Sequence, residues 1–519
     1  MTITEMLARN RRMHSDKIAL VERIPSRHLR KQLTWKEFDE RVNRIANALI
    51  TRGIQKGDIV LHWMMNSTEW LEAYFGIVRT GAVVAPLNFR FSEKDYRYCE
   101  KIAEPKLAVV DGLFVERVEA AGYQSLPKDR YIVNGERRAE DMENYEEMIA
   151  RSSSDVVDVE IGMEDPCGLY FTSGTTGDPK PIVLTHRNME QACIIEVAHG
   201  MRKPGDIFAI LKPLYHTGDY IHWLSSLILG ETSVIQGDKI TPRIIFEVIE
   251  KEKCTVAMLL VPWIQDILTE LDTGSIKKGD YDLSSWRLVL LGAQPVPPHL
   301  IKLFHERFPH IQWDMNYGLT EATGPGCIHL NMGGTHKVGS IGKPGFNWEA
   351  RIVNEKGEDV KREEVGEIIV RGNGVMKEYY KNPQKTAETI RNGWLYTGDM
   401  GRIDSDGYFW IVDRKKDVII SGGENIYPIE IEEMLQCHPK VHDVGVIGLP
   451  DDRLGEIVTA VVLLEPNVNA SAETEAEIMQ YCENSLPRYK RPKRLIFDMV
   501  PRNPTGKIEK FKMRERYRQ

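Results

Sequence analysis

The sequence predicts an α/β fold: a large N-terminal domain of parallel α/β subdomains plus a β-rich subdomain, with a small mobile α+β C-terminal domain. Three observations predict it. Short apolar runs alternate with helical stretches up to about residue 339, the pattern of parallel sheets. Glycines and short alternating strands then dominate from Gly339. A charged run, Asp413 to Lys416, precedes about 100 residues of mixed helix and strand, a plausible size for an independent unit. A chain of 519 residues is also too long for one core, since domains run to about 150 residues. The expected division is 1–413 and 414–519.

Each element follows from local chemistry. Thr34 and Glu37 form a capping box, and Phe38, Val42, Ile45, Ala46 and Leu49 then recur at helical spacing until Gly53. Ile59 to Trp63 reads as a strand, Ser67 to Arg79 as a helix, and Ala82 to Pro86 and Leu107 to Val110 as short buried strands. Cys167 to Phe171 and Ile182 to Leu184 are apolar strands around a polar loop. Beyond them come strands at Ile207 to Leu211, Ser233 to Gln236, Thr255 to Val261 (closed by Pro262) and Arg287 to Leu291. Helices are expected at His222 to Leu229, Pro242 to Lys251 and Pro298 to Phe308. The β-rich part offers Ala350 to Val353, Glu367 to Val370 and Gly407 to Val412. The last unit reads as an acidic helix (Pro428 to Cys437), strands (Val444 to Leu449, Ile457 to Leu464) and a helix (Glu473 to Leu486). A basic tail from Arg488 holds twelve Lys/Arg against three acids. Polar and glycine clusters fall at the carboxyl ends of strands, where ligands bind in open α/β sheets.

Composition narrows the function. With 42% hydrophobic and 28% charged residues the chain is that of a soluble globular protein. A net charge of −8 argues against a general nucleic-acid binder. Seven scattered cysteines without C-x-x-C spacing fit a reducing, cytoplasmic compartment and argue against a zinc or disulfide framework. The first ten residues lack an apolar h-region, no apolar run approaches the ~20 residues that span a bilayer, and the C-terminus carries no peroxisomal tripeptide.

Five motifs carry chemistry. In Tyr170-Phe-Thr-Ser-Gly-Thr-Thr-Gly-Asp-Pro-Lys180, glycines let backbone N–H groups approach an anion, hydroxyls donate to phosphate oxygens, and Lys180 adds charge. It is not a Walker loop, because Asp178 follows Gly177. Read alone, it suits a flexible surface loop equally well. Asn316-Tyr-Gly-Leu-Thr-Glu321 offers an aromatic face, a hydroxyl and a carboxylate for Mg²⁺; a turn with a surface glutamate is the plainer alternative. Asp399 of Trp394-Leu-Tyr-Thr-Gly-Asp399 can accept from ribose hydroxyls or simply close a turn. Asp413-Arg-Lys-Lys-Asp417, followed by Ser421-Gly-Gly-Glu-Asn-Ile426, suits a solvated face beside a mobile glycine loop. Pro501-Arg-Asn-Pro-Thr-Gly-Lys507 holds Lys507 on a stiff turn or in an exposed tail.

In this order and at these separations the five motifs resemble those of the adenylate-forming superfamily: acyl-CoA synthetases, luciferase-like enzymes and peptide-synthetase adenylation domains. The resemblance covers essentially the whole chain. It implies that Thr172, Ser173, Gly174, Thr175, Thr176, Gly177 and Lys180 hold the β- and γ-phosphates of ATP, with Thr176 and Glu321 at Mg²⁺. Gly292, Ala293, Gln294, Asn316, Tyr317 and Gly318 would bind the nucleotide, Gly292, Ala293 and Tyr317 framing the adenine. Thr320 would touch the α-phosphate and the acyl carboxylate, Asp399 and Arg414 the ribose. Lys507 would bridge carboxylate and α-phosphate. The catalytic set is then Lys507, Thr320, Glu321 and His216. Rotation about Lys416 would withdraw Lys507 and bring Ser421, Gly422, Gly423 and Glu424 to CoA. The implied reaction joins a carboxylic acid to CoA through an acyl-adenylate.

The resemblance places the acyl pocket at His216, Tyr220, Trp223 and Gly324. Tyr220 and Trp223 stand at i and i+3, and if they face the pocket the acid is compact: aromatic, alicyclic or medium-chain. One departure is Pro181, where the superfamily usually has glycine after the lysine; it removes an N–H and fixes φ, and activity is expected to survive. The expected partners are a small acid, ATP, CoA and a second copy of the chain in a homodimer, with no nucleic acid and no integral membrane association. Two other readings are a stand-alone adenylating enzyme serving a carrier protein and a catalytically dead nucleotide binder; intact Lys180, Glu321, Asp399, Arg414 and Lys507 disfavour the latter.

Overall fold

Thr34 caps the helix Trp35–Thr51 by the expected reciprocal bonds: its hydroxyl accepts from the Glu37 N–H at 3.1 Å, and the Glu37 carboxylate accepts from the Thr34 N–H at 2.8 Å. The computed structural model describes every residue except 124, 173–178, 293–295, 330–336, 504–506 and 519. Among the described residues the chain forms four sheets.

The first sheet of the N-terminal region is built around Ile59–Trp63, which pairs in parallel with Val83–Pro86 on one side and Leu107–Asp111 on the other. Pro166–Thr172 joins Val83–Pro86 in parallel, and Lys180–Thr185 returns antiparallel beside it. Residues 173–178, expected to hold phosphate, follow the first of these two strands and precede the second in sequence, and they lie outside the described residues. The second sheet centres on Ile207–Ile210, flanked by Thr232–Gln236 and Val256–Leu259 on opposite sides, all parallel. Leu288–Leu291 and Gln312–Leu319 extend it. Chain order reverses at Ile207–Ile210, so a crevice opens at its carboxyl end. One continuous apolar core, including Trp35, Phe38, Trp70, Tyr74 and Trp223, joins the two sheets through the helices between them.

The third sheet is antiparallel. In it Trp394–Ile403 pairs with Phe409–Arg414, which sets Asp399 directly opposite Arg414. The fourth, in the C-terminal part, pairs Val441–Asp451 with Gly455–Leu464 and carries its own core around Ile431, Val446, Val462 and Ile478. No helix among the described residues is long and apolar enough to cross a membrane.

Several boundaries differ from expectation for identifiable reasons. Pro262 does not close a strand; the strand is Val256–Leu259, and Pro262 opens the helix Val261–Asp272 from its first turn, where a missing N–H costs nothing. The helix expected from His222 starts earlier, at Thr217–Leu229, because the His216 side chain caps it by accepting from the Gly218 N–H. The charged run is not a solvated face throughout: Asp413 is buried and accepts from the N–H groups of Arg414 and Ile429. The Pro181 carbonyl accepts from the Tyr380 N–H at 2.9 Å. A residue's nitrogen and carbonyl face the same edge of a strand, so the donor that proline lacks is turned toward Glu378–Tyr379, away from the partner strand Pro166–Thr172.

Candidate active site

The strand ends of the second and third sheets and the C-terminal turn close a cavity of about 280 Å³, lined by Asn316, Tyr317, Gly318, Asp399, Arg414, Lys416 and Lys507 among others. Asp399 is its anchor. Its Oδ2 accepts from the Tyr317 hydroxyl at 2.6 Å, and its Oδ1 lies 3.4 Å from Arg414 Nε. Asp399 raises the Arg414 pKa and keeps that guanidinium charged. Asn316 is buried, and both polar atoms of its carboxamide lack a partner among the described residues. A carboxamide offers one acceptor and two donors, and its burial without partners would be costly unless a ligand supplies them.

Lys507 enters from the C-terminal part. Its N–H donates to Asn503 Oδ1 at 2.9 Å, and its carbonyl accepts from the Asn503 N–H at 2.9 Å, which holds the two residues side by side. Arg502, before Asn503, is ion-paired with Asp443 at 2.7 Å and so ties this segment to the C-terminal sheet. Burial, and then the Arg414 charge, push the Lys507 ammonium down to about 8; Asp399 and Glu321 oppose this. Three side chains, Glu321, Asp399 and Arg414, therefore act on one ammonium.

Glu321 and Thr320 occupy the short turn after Gln312–Leu319. Thr320 Oγ1 lies 3.1 Å from Thr217 Oγ1, and Glu321 Oε1 accepts from the Tyr379 hydroxyl at 2.8 Å. Lys180 Nζ sits 6.0 Å from the centre of the same Tyr379 ring. Thr323 holds a left-handed backbone (φ 59°), which a β-branched residue seldom adopts; its hydroxyl on the Gly374 carbonyl at 2.5 Å helps fix it. His216 is held neutral, its pKa pushed down to about 3 by burial and by the charges of Lys212 and Lys507. Its Nδ1 accepts from Gly218 at 3.0 Å, so the ring proton is on Nε2.

The remaining expected positions divide. Thr172 and Lys180 end the strands on either side of the undescribed loop, which contains Ser173, Gly174, Thr175, Thr176 and Gly177; Ala293 and Gln294 also lie outside the described residues. Gly292 is described, and a Cβ there would stand 3.2 Å from Asn316 Oδ1. Ser421, Gly422, Gly423 and Glu424 form the tip of a hairpin joined to Gly455 and do not line the cavity. Tyr220 and Trp223 are fully buried in an aromatic cluster with Trp70, Tyr74 and Phe75. Their bulk fills core, so the argument from these rings to a short acid does not hold. A Cβ at Gly324 would instead meet Ile221 Cδ1 at 2.5 Å and the Thr217 carbonyl at 3.3 Å.

Sequence reasoning did not find Lys212, Thr217, Tyr379 or Asn503. Asn503 sits inside the motif that ends at Lys507, and Thr217 is next to His216. Tyr379 stands 58 positions from the carboxylate it serves, with no spacing signal.

Comparisons with known proteins agree with this geometry. The AMP-binding enzyme family matches residues 7–380, and the AMP-binding enzyme C-terminal domain matches residues 430–507. The chain is 34% identical to a feruloyl-CoA synthase of Amycolatopsis sp, covering 95% of both chains. It is 31% identical to the long-chain-fatty-acid–CoA ligase FadD13 of Mycobacterium tuberculosis, covering 94% of this chain and 93% of that one. Its fold is similar to the crystal structure of the anthranilate CoA ligase AuaEII in complex with anthranoyl-AMP, with a TM-score of 0.89, 26% identity, and coverage of 99% of this chain and 97% of that one. With both family domains matched in order along one chain, the protein belongs to the AMP-binding enzyme family and is an AMP-forming acyl-CoA synthetase of the adenylate-forming superfamily.

Proposed function

We propose that the protein joins a compact carboxylic acid to CoA, with the residues around Lys507 performing adenylation. The observation that carries this reading is the convergence of Tyr317, Asp399, Arg414 and Lys507 on one cavity from three separate parts of the chain, with the Glu321 charge acting on Lys507. The ribose hydroxyls would meet Asp399 and Arg414, and the Asn316 carboxamide would pair with the adenine edge. Tyr317, its hydroxyl fixed on Asp399, would present its ring to the base. Glu321, a carboxylate near the expected phosphates, suits Mg²⁺, a hard cation that takes oxygen ligands and works with phosphates; bound there, the ion would neutralise phosphate charge.

The chemistry joins two anions whose repulsion is large in a low-dielectric site. The acid carboxylate attacks the α-phosphorus, the bond to the bridging oxygen breaks, and pyrophosphate leaves. Lys507 would stand between carboxylate and α-phosphate and stabilise the charge that develops there. The sulfur of CoA then attacks the acyl carbon, and AMP departs with the electron pair of the broken acyl–oxygen bond. For the second step, residues 414–519 would turn about Lys416, exchanging Lys507 for the hairpin of Ser421, Gly422, Gly423 and Glu424. Asp413, the last residue before the rotating part, accepts from the Ile429 N–H of the helix Pro428–Gln436 at 2.9 Å, a bond that the rotation would have to break.

Compactness of the acid rests on Ile221, which abuts Gly324 where the helix Thr217–Leu229 meets the strand Gly324–His329. A graded panel, from benzoate and hexanoate to palmitate, assayed for pyrophosphate release with and without CoA and for thioester by chromatography, tests the whole reading. Thioester from short or aromatic acids is expected. Turnover of palmitate well above benzoate and hexanoate would overturn compactness, and adenylate formation that never proceeds to CoA would overturn the second step.

A further inference from the structure

The chain on either side of residues 504–506 pairs as a short antiparallel ribbon. Arg502 stands opposite Ile508 in an isolated bridge, the Glu509 N–H donates to the Pro501 carbonyl at 2.8 Å, and the Asn503 N–H donates to the Lys507 carbonyl at 2.9 Å. In such a pairing the residues that flank a bridge exchange two bonds. Pro501 has no N–H to give. At the other end the Lys507 N–H goes to the Asn503 side chain, to Oδ1 at 2.9 Å. A side-chain carboxamide thus supplies one of the two bonds that fix Lys507 against Asn503. Arg502 anchors the same strand of the ribbon to the C-terminal sheet: its Nε donates to Asp443 Oδ2 at 2.9 Å and its Nη2 to Oδ1 at 2.7 Å, a two-pronged pair that also fixes geometry. Asn503 and Lys507 line the same cavity as Asp399 and Arg414.

We infer that Asn503 is a positioning residue for adenylation: its carboxamide fixes the backbone of Lys507 and so delivers the ammonium to the carboxylate and the α-phosphate. This deepens the reading proposed above and rests on it. A lysine ammonium rides on a flexible four-carbon stem, so it is located only as well as the backbone beneath it. The anchorage of Arg502 on Asp443 reaches Lys507 through Asn503, by one backbone and one side-chain bond. A reacting group misplaced by about 1 Å costs on the order of a hundredfold in rate. The CoA step follows the withdrawal of Lys507, so it has no need of this carboxamide.

The test compares three variants with wild type. Asn503→Ala removes the acceptor, Asn503→Gln moves it by one methylene, and Asn503→Asp keeps it in place. Each is assayed for pyrophosphate release, for thioester formed from supplied acyl-AMP and CoA, and for the pH dependence of Lys507 acetylation by acetic anhydride, followed by mass spectrometry. Lys507 keeps some exposure to solvent, so the reagent can reach it. Asn503→Ala and Asn503→Gln are expected to lose about 30- to 100-fold in kcat for pyrophosphate release, with the KM for ATP and the thioester step within a few-fold of wild type. Asn503→Asp is expected to retain most of the wild-type rate. The acetylation midpoint is set by burial together with Arg414, Asp399, Glu321 and Lys212. It is expected to rise in Asn503→Ala and Asn503→Gln, because an ammonium that slips from the cavity escapes desolvation and the Arg414 charge. A carboxamide that only supports the fold would lower both half-reactions together and leave the midpoint in place. If Asn503→Ala does not fold, Asn503→Gln carries the same comparison. The proposal is overturned if these variants adenylate at the wild-type rate, if both half-reactions fall equally, or if the midpoint stays. Failure of wild type to release pyrophosphate with any acid counts against the ligase reading instead, while the acetylation midpoints still decide the role of Asn503.

Discussion

The Tyr379 hydroxyl donates to Glu321 Oε1 at 2.8 Å, and Lys180 lies 6.0 Å from the centre of the Tyr379 ring. One phenol thus connects the lysine beside the phosphate loop to the carboxylate suited to Mg²⁺. Burial and the Glu321 charge raise its pKa, so it remains a donor at neutral pH. A hydrogen bond to a charged group is worth about 1.5–3 kcal/mol. Tyr379→Phe keeps the ring and removes the hydroxyl that makes that bond. Its adenylation rate should fall by about 10- to 100-fold and its requirement for Mg²⁺ should rise. Thioester formation from supplied acyl-AMP should change little. Wild-type adenylation in Tyr379→Phe would reduce the residue to packing.

Lys507, at about 8, makes the first step sensitive to alkali. The protonated form is the one that can bridge two anions, and it is lost as pH rises through 8. The kcat/KM for adenylation, which reports the free enzyme, should therefore decline above about pH 8. Arg414 depresses this group more than any other charge does, so Arg414→Gln should move the alkaline limb upward while also weakening ATP binding. The linkage to stability has the opposite sign. The folded value lies below the ordinary lysine value of about 10.4, so the unfolded chain binds more protons between the two and this group favours folding as pH rises across that window. An alkaline limb that stays in place in Lys507→Arg would assign it to another group.

How much of this was legible in the sequence depends on how local each signal is. The capping box at Thr34 and Glu37, the apolar strand Ile59–Trp63 and the facing of Asp399 and Arg414 on adjacent strands all arise from short-range pattern. Pro262 was misassigned because proline both ends strands and begins helices, and only the partner strand decides. Asp413 sat in a run of charges that looked solvated, yet its carboxylate is buried by the chain folding over it. Tyr379, Lys212 and the Ile221 contact with Gly324 are tertiary facts: nothing within ten residues of each announces its partner. Tyr220 and Trp223 show the reverse error, since a correct helical spacing said nothing about which layer the face would meet.

The placement of Trp223 yields its own prediction. The side chain is fully buried and stacks edge-on against Phe75 at 5.5 Å, with Tyr220 at 5.9 Å. Trp223→Ala should cost about 3–5 kcal/mol of stability, as removal of a buried aromatic does, read as a lowered denaturant midpoint. The ranking of acids by length should stay as in wild type. A variant that keeps its stability and gains activity on longer acids would put Trp223 in the pocket wall.

Removing the ammonium of Lys507 separates the two half-reactions. In the present arrangement Lys507 faces Asp399, Arg414 and Glu321, whereas the hairpin tip at Gly422 and Gly423 is tied to Leu454 and Gly455 away from the cavity. The same C-terminal segment cannot present both at once, so a rotation about Lys416 implies that each step uses a different face of it. Lys507→Ala should reduce pyrophosphate release by at least about a thousandfold, since an electrostatic group acting only in the transition state is lost. Conversion of supplied acyl-AMP and CoA to thioester should remain within a few-fold of wild type. Substitution of Gly423 by a bulky residue should do the opposite, slowing thioester formation while adenylation proceeds, because its backbone is left-handed (φ 86°) and carries no neighbour that a side chain would replace. Equal loss of both half-reactions in Lys507→Ala would mean that one arrangement of the C-terminal part serves both steps, and the rotation would have to be abandoned.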